Sequence, residues 1–300
     1  MTSIAFIGFG EAGGLLATGL LACGAEDVAT YDILIDDPAT AGKHKKKAAE
    51  IGVTAAISPA EAVAGRDVVI SAVVSSETVK AAASVAPHLK AGQYYLDINS
   101  ASPRMKREAQ AVVEQNGAHY VEAAVMDLVP PHGHRVPMFL AGTKAADLAP
   151  MLTALDMRVE PVGDKIGQAS SIKMVRSVFL KGFSAILLEC LVAAERAGVE
   201  DKVLASIQRT FPEIDWIKMA DYYMGRLMVH AKRQSAEMWE VVETLRDMDV
   251  DPFTAEASAK RLAWLAELDI LKNTPDGEPP KDFKSALKLF REVEAKTRAV

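Results

Sequence analysis

The sequence predicts two domains: an α/β half built on a parallel sheet, then an all-helical half. Three observations carry this expectation. Up to about residue 163 the chain alternates short β-rich segments with helical ones, beyond that point the strand signals stop, and a glycine cluster stands between the first strand and the first helix. Three hundred residues are enough for two separate cores. The composition change puts the domains at 1–163 and 164–300.

Each element follows from its local pattern. "SIAFIGF" is a short apolar strand, and "AGGLLATGLLACG" has helical spacing and closes on Gly24. "DVATYD" is a second strand, followed by a helix through "HKKKAAEIG". "DVVISAVV" is β-rich on both faces, as a buried parallel strand should be. "ETVKAAASVAPHL" is helical, "QYYLDI" a strand, and "SPRMKREAQAVVEQNG" a helix with Pro103 at its start and Gly117 at its end. "AHYVEAAV" returns as a strand, and "PMFLAG" and "RVEPVG" close the series. Repeated βα units with buried strands imply a parallel sheet covered by helices on both faces. After Gly163 the patterns are helical, punctuated by Gly198, Pro212, Pro252 and the turn "NTPDGEPP".

Composition narrows the function classes. Apolar residues make up 50% and charged residues 25%, as in a globular protein. A net charge of −6 argues against a nucleic-acid partner. The one dense basic run, "KHKKK" at 43–47, reads as the solvated start of a helix, with a phosphate-binding patch as the alternative. Cys23 and Cys190 sit in helical patterns, which suggests reduced thiols and a cytoplasmic setting. No uninterrupted apolar run reaches the length of a membrane span, so no membrane role is expected.

The glycine cluster gives the first chemistry. Gly8, Gly10 and Gly13 form G-x-G-x-x-G directly after a strand and at the opening of a helix. Gly8 permits the tight turn, Gly10 the approach of a pyrophosphate, and Gly13 the packing of helix on strand. The helix start offers N–H groups and its positive dipole end to phosphates, so Gly8, Phe9, Gly10, Glu11, Ala12 and Gly13 are the expected cofactor contacts. Asp32 ends the second strand, where an acid accepts hydrogen bonds from the adenosine ribose. This is a Rossmann-type domain in prospect. A carboxylate at that place favours NAD over NADP, although the basic run could still reach a 2′-phosphate.

A second pattern lies in the helical half. In "IKMVRSVFLKGF", Lys173, Arg176, Ser177 and Lys181 share one helical stripe, three of them cationic and with no acid among them. Burying such cations unpartnered would cost several kcal/mol each, roughly. An anionic ligand from outside removes that cost. The bland alternative is a solvated stripe, and Lys181, two turns beyond Lys173, fits it best.

With the glycine loop, "DINSASP" at 97–103 and "GDKIGQASSIKMVRS" at 163–177, nearly the whole chain resembles the β-hydroxyacid dehydrogenase family, which includes 3-hydroxyisobutyrate and 6-phosphogluconate dehydrogenases. The resemblance implies an all-helical C-terminal domain of the 6-phosphogluconate dehydrogenase type. It puts Asp97, Asn99, Ser100 and Pro103 on the family loop that touches substrate and nicotinamide. Asn99, Ser100, Val73 and Val74 become cofactor contacts, and Ser100 and Ala101 substrate contacts. Gly163, Gly167 and Lys173 match the segment of the family's catalytic lysine. Lys232, beside His230, is the nearest match to a second lysine that approaches the cofactor. Two departures fall on substrate positions: Arg176 and Ser177 stand where the family has asparagines, and Met126, Asp127 and Leu128 where it has Ser-Gly-Gly. The chain therefore resembles a divergent branch of the family.

The resemblance implies an NAD(P)-dependent dehydrogenase of the CH–OH group with Lys173 as acid–base group. A lysine serves in this way when desolvation and neighbouring positive charge bring it toward neutrality. Arg176 can hold a carboxylate with two parallel bonds, and Ser100 and Ser177 can bond substrate or cofactor. The expected substrate is a small anion: a 3-hydroxy acid or β-hydroxy carbonyl compound, with Met126 and Asp127 as contacts and room for a bulky group in a pocket made more apolar by Met126, Leu128 and the Pro130–Pro131 pair, and not 6-phosphogluconate. Alternatives are an imine reductase of the same architecture and a non-catalytic nucleotide sensor. Lys173 counts against both. No metal is expected: His132 and His134 flank Gly133 in what reads as an exposed loop without a supporting acidic or thiol cluster. The strongly apolar C-terminal helices, paired between subunits in the family, point to a homodimer or higher even oligomer.

Overall fold

The computed structural model describes residues 2–298. The first compact unit covers 1–173 and the second 174–300. In the first, the strands are β1 (Ser3–Ile7), β2 (Glu26–Tyr31), β3 (Thr54–Ala55), β4 (Val68–Ser71), β5 (Tyr94–Asp97), β6 (His119–Val125), β7 (Met138–Ala141) and β8 (Val159–Gly163). The helices between them are α1 (Glu11–Ala22), α2 (Pro38–Ile51), α3 (Pro59–Val63), α4 (Thr78–Val85), α5 (Pro103–Val113), α6 (Val129–His132) and α7 (Ala145–Thr153). Starts are set chemically: Asp37, Ser58 and Ser102 cap α2, α3 and α5 through side-chain oxygens, each followed by proline in the first turn.

The strands form one sheet in the order β3-β2-β1-β4-β5-β6-β7-β8. The first six are parallel in the 3-2-1-4-5-6 order of a doubly wound nucleotide-binding sheet. Alternate residues of β1 feed opposite cores, Ile4 and Phe6 on one face and Ala5 and Ile7 on the other. That is why the central strands read as continuous apolar runs.

The expectation of a parallel sheet fails at one pair. β7 runs antiparallel to β6, and β8 runs parallel to β7. The connection over 126–137 holds only α6 and a 3₁₀ turn, Gly133–Arg135, too little for a crossover helix. The predicted helix over 77–89 also divides: α4 stops at Val85 and a 3₁₀ turn containing Pro87 follows, because proline cannot continue the ladder. The sequence reading did not identify α3, α7 or the two-residue β3.

Every strand or helix described in the second unit is a helix: the remainder of α8 (Gln168–Ala197), then α9 (Glu200–Thr210), α10 (Trp216–Arg246), α11 (Phe253–Glu267) and α12 (Phe283–Arg298), with short turns between them. Its core gathers Leu187, Leu188 and Leu191 of α8 with Met224, Leu227, Met238 and Val241 of α10 and Leu262 and Leu265 of α11. Among the described residues α8 alone is long and apolar enough to cross a membrane by length and composition, and its buried leucines belong to this core. The units divide at Lys173–Met174, not near 163. The cause is chemical, since the first turn of α8 is bonded to β6.

Candidate functional site

The glycine loop joins β1 to α1. Gly8 has φ +88°, and a Cβ there would lie 2.5 Å from the Ala72 carbonyl oxygen. A Cβ on Gly13 would lie 2.8 Å from the Gly8 carbonyl oxygen, whereas one on Gly10 would meet nothing within 4 Å. Two glycines are thus demanded by the chain itself. The third leaves an open face where α1 begins. Open backbone at a helix N-terminus suits an anion, so the residues present fit a dinucleotide pyrophosphate.

Asp32 is buried at the end of β2, and both its oxygens take backbone protons: Oδ2 from Phe9 N–H at 2.7 Å and Oδ1 from Leu34 N–H at 3.0 Å. It therefore fixes the loop, with lone pairs left over. Lys47, the last residue of the basic run, is half-buried and donates to the carbonyls of Phe9 at 2.9 Å and Gly10 at 2.7 Å. The run is a helix face whose final member turns inward.

The "DINSASP" loop rests on a fully buried cluster. Lys106 Nζ meets Asp97 Oδ1 at 2.8 Å, and Tyr120 donates to Asp97 Oδ2 at 2.6 Å. Burial and the Asp97 charge push the Tyr120 phenol well above its ordinary value, which keeps it a donor. Asn99 N–H reaches Asp97 Oδ1 at 2.9 Å. The Asn99 side chain donates to Ser71 Oγ at 2.9 Å and accepts from Val73 N–H at 2.7 Å. Asn99 and Ala101 are therefore buried members of the scaffold, while Ser100 and Val74 are exposed beside them.

Glu122 of β6, the register partner of Asp97, anchors α8. Its carboxylate accepts from Gly167 N–H at 2.7 Å, Ala169 N–H at 2.9 Å and Ser170 Oγ at 2.8 Å. A buried negative charge under a helix N-terminus satisfies orphan donors and the dipole together. Lys173 follows Ser170 by one turn and is half-buried, with Arg176 exposed and Ser177 buried further along α8. Lys181 Nζ pairs with Glu237 Oε2 of α10 at 3.0 Å and donates to Ser177 Oγ at 3.2 Å. The acid missing from the stripe comes, for Lys181, from the facing helix, so that lysine is a structural ion-pair member.

Met126 packs against a small cluster of Ala124, Ala141 and Ala169. Asp127 Oδ2 lies 3.3 Å from His132 Nε2, within its own loop. The expectation of an exposed histidine loop is corrected for His134, which is 8% exposed. It lies against Gly19 of α1, where a Cβ would fall 1.9 Å from Nδ1, and its Nε2 is 3.3 Å from Cys23 Sγ. Desolvation, then Arg135, holds the His134 imidazole below its ordinary value. Cys23, His134 and Asp156 converge within 4.8 Å, a grouping the sequence reading did not foresee. Asp156 is already ion-paired with Arg135, and Cys23 already faces the ring. Lys232 is exposed on α10 of the second unit; the His230 imidazole is held below its ordinary value by desolvation, then Arg233.

Lys106 and Glu122 escape a reading by local spacing, whereas Lys47 is marked only as a member of the basic run. The only signal was their position: a lysine on an otherwise apolar helix face, or an acid inside the run "YVEAAV".

A doubly wound sheet with an anion-accepting glycine loop defines a dinucleotide-binding protein. The family model for the NAD binding domain of 6-phosphogluconate dehydrogenase matches residues 3–155, and the chain belongs to that family. A second model, a domain of unknown function (DUF1932), matches 194–265. A conserved hypothetical protein from Sinorhizobium meliloti 1021 is 39% identical, with 98% of this chain and 97% of that one covered and a TM-score of 0.85. The conserved protein MTH1747, described as structurally similar to 3-hydroxyacid dehydrogenases, is 31% identical over 88% of this chain and 97% of its own, with a TM-score of 0.75. An NAD-dependent L-serine dehydrogenase of Pseudomonas aeruginosa is 27% identical over 72% of each chain. The fold alone is shared with a Mycobacterium tuberculosis 3-hydroxyisobutyrate dehydrogenase and a Pseudomonas imine reductase, at 19% and 20% identity with TM-scores of 0.73 and 0.56. The 3-hydroxyisobutyrate dehydrogenase match covers 97% of this chain and 99% of that one, and the imine reductase match 96% and 99%. The architecture is thus that of the NAD(P)-binding 3-hydroxyacid dehydrogenase-like proteins.

Proposed function

We propose that the protein is an NAD-linked dehydrogenase that oxidises the hydroxyl of a 3-hydroxy acid or a related β-hydroxy carbonyl compound. The observation that carries the reading is Lys173 on a helix whose start is fixed by buried Glu122, in the same compact unit as the glycine loop. A bound nicotinamide supplies the hydride acceptor. The chain's own work is to position and to move a proton. Lys173 Nζ takes the hydroxyl proton during oxidation and returns it in the reverse direction. Arg176, one turn on, holds the substrate carboxylate through paired N–H bonds, and Ser177 and exposed Ser100 offer hydroxyls. Asp32 with its remaining lone pairs supports NAD over NADP. Lys232 is read as a cofactor contact, and Met126 and Asp127 as substrate contacts, by likeness to the family.

The test is a screen of hydroxy acids and cyclic imines with NAD(H) and NADP(H). We expect turnover of a hydroxy acid, a kcat lower by roughly 10²–10⁴-fold in Lys173→Ala, and mainly a raised KM in Arg176→Ala. Turnover of imines alone would replace this reading by the imine reductase one. Binding without turnover of either class would favour a nucleotide sensor. An unchanged KM in Arg176→Ala would refute the carboxylate clamp.

The same reading includes a homodimer through the helical half. Val175, Phe179 and Ile186 of α8 are exposed large apolar residues on one face of that helix, an arrangement that favours burial against a second copy. Sedimentation at micromolar concentration should give an even oligomer. A monomer would count against the proposal.

A further inference from the structure

In the basic run of α2, Lys43, Lys45 and Lys46 are exposed, but Lys47 points into the first unit. Side chains on a helix lean toward its N-terminus, so a residue near the end of α2 reaches up toward the strand ends. The Lys47 stem passes beside α1 at Gly14, where a Cβ would lie 2.9 Å from both Cε and Nζ. Its ammonium then meets the carbonyl oxygens of Phe9 and Gly10, and stands 5.1 Å from the Phe9 ring centroid.

From the other side, Asp32 accepts the Phe9 N–H. The Phe9 residue is thus held at its N–H by a carboxylate and at its carbonyl by an ammonium. Two carbonyl dipoles converging on one point would make a negative spot at a loop built to receive phosphates. The ammonium cancels it, and bonds to a charged donor hold better than neutral ones. Gly10 keeps its first helical bond as well, since its carbonyl also accepts from Gly14 N–H at 3.1 Å.

We propose that Lys47 is a positioning residue of the dinucleotide site: it clamps the Phe9–Gly10 carbonyls so that the loop presents its N–H groups, and it brings one positive charge to the phosphate cradle. The proposal rests on the reading of this loop as the pyrophosphate site. Lys47 therefore tunes affinity for the phosphate-bearing part of the cofactor and takes no part in proton transfer. Gly14 belongs to the same device because a Cβ there would meet Lys47 Cε and Nζ at 2.9 Å, so that the end of the lysine would have to shift.

The experiment is a fluorescence titration of the full-length protein with NADH and NADPH at several salt concentrations, alongside thermal melts. Lys47→Met should weaken dinucleotide binding about tenfold and flatten its salt dependence, while Lys47→Arg restores most of the affinity. Gly14→Ala keeps the charge but crowds Cε and Nζ, so that the ammonium must shift against the two carbonyls. It should weaken binding without lowering thermal stability, because alanine is the better helix residue. Two results would overturn the proposal: wild-type affinity in Lys47→Met, or weakened binding with an unchanged salt slope that Lys47→Arg does not restore. A wild-type protein that binds neither dinucleotide would instead refute the cofactor reading itself, and this proposal with it.

Discussion

Lys106 in the first unit and Lys181 in the second both place an ammonium against a carboxylate, at 2.8 and 3.0 Å, yet they do different work. The Lys106 and Asp97 side chains are 1% and 0% exposed, and their pair is tied to Tyr120 and to the backbone of Asn99. The Lys181 and Glu237 side chains are 19% and 30% exposed, and Arg233 flanks the same acid. Burial raises the Glu237 carboxyl, but Lys181 and Arg233 more than offset this and hold it below its ordinary value. One pair fixes a loop at a site. The other fastens two helices. The Asp97 cluster also ends on backbone that has to be aimed, at the Asn99 N–H, whereas Glu237 meets the side chains of Lys181 and Arg233.

The largest expected effect follows from that contrast. Lys106→Met leaves Asp97 charged and buried without its cation, and should cost about 3–5 kcal/mol. Urea denaturation of the two proteins checks it; a loss below about 1 kcal/mol would mean that Tyr120 and the Asn99 N–H suffice for the carboxylate. A pair of glycines sharpens the comparison at smaller amplitude. Gly19→Ala in α1 drives a Cβ into the His134 ring, and should destabilise by roughly 1–3 kcal/mol. Gly225→Ala in α10 meets only Pro279 at 4.0 Å, and should stabilise by up to about 1 kcal/mol through helix propensity. Thermal melts that shift the same way for both would deny the difference in packing.

Legibility in the sequence follows the range of the interaction. The glycine loop is readable because the positive φ of Gly8 and the Gly13–Gly8 contact lie within one strand–turn–helix unit, although the approach of Ala72 to Gly8 does not. Lys173 stands out twice in the sequence, in the cationic stripe of its helix and in the family segment around it. Glu122 is not readable, because its partners lie 45 to 48 residues away and a glutamate in a strand gives no sign of them. Lys47 reads as a solvated charge for the same reason: the carbonyls it holds are 37 and 38 residues distant. The reversal of β7 is invisible because "MFLA" is equally apolar in either direction. Spacing reports what a residue meets along its own element, and the sheet decides the rest.

The two margins of the sheet carry one more consequence. At one side stands β3, two residues long, and at the other β8, where Glu160 and Pro161 are exposed. A stub offers too few ladder bonds to template a foreign strand, and a charge with a proline on the opposite margin resists one. Chains of this protein crowded together are therefore protected from polymerising sheet to sheet, even though the strands between those margins are among the most apolar segments of the molecule.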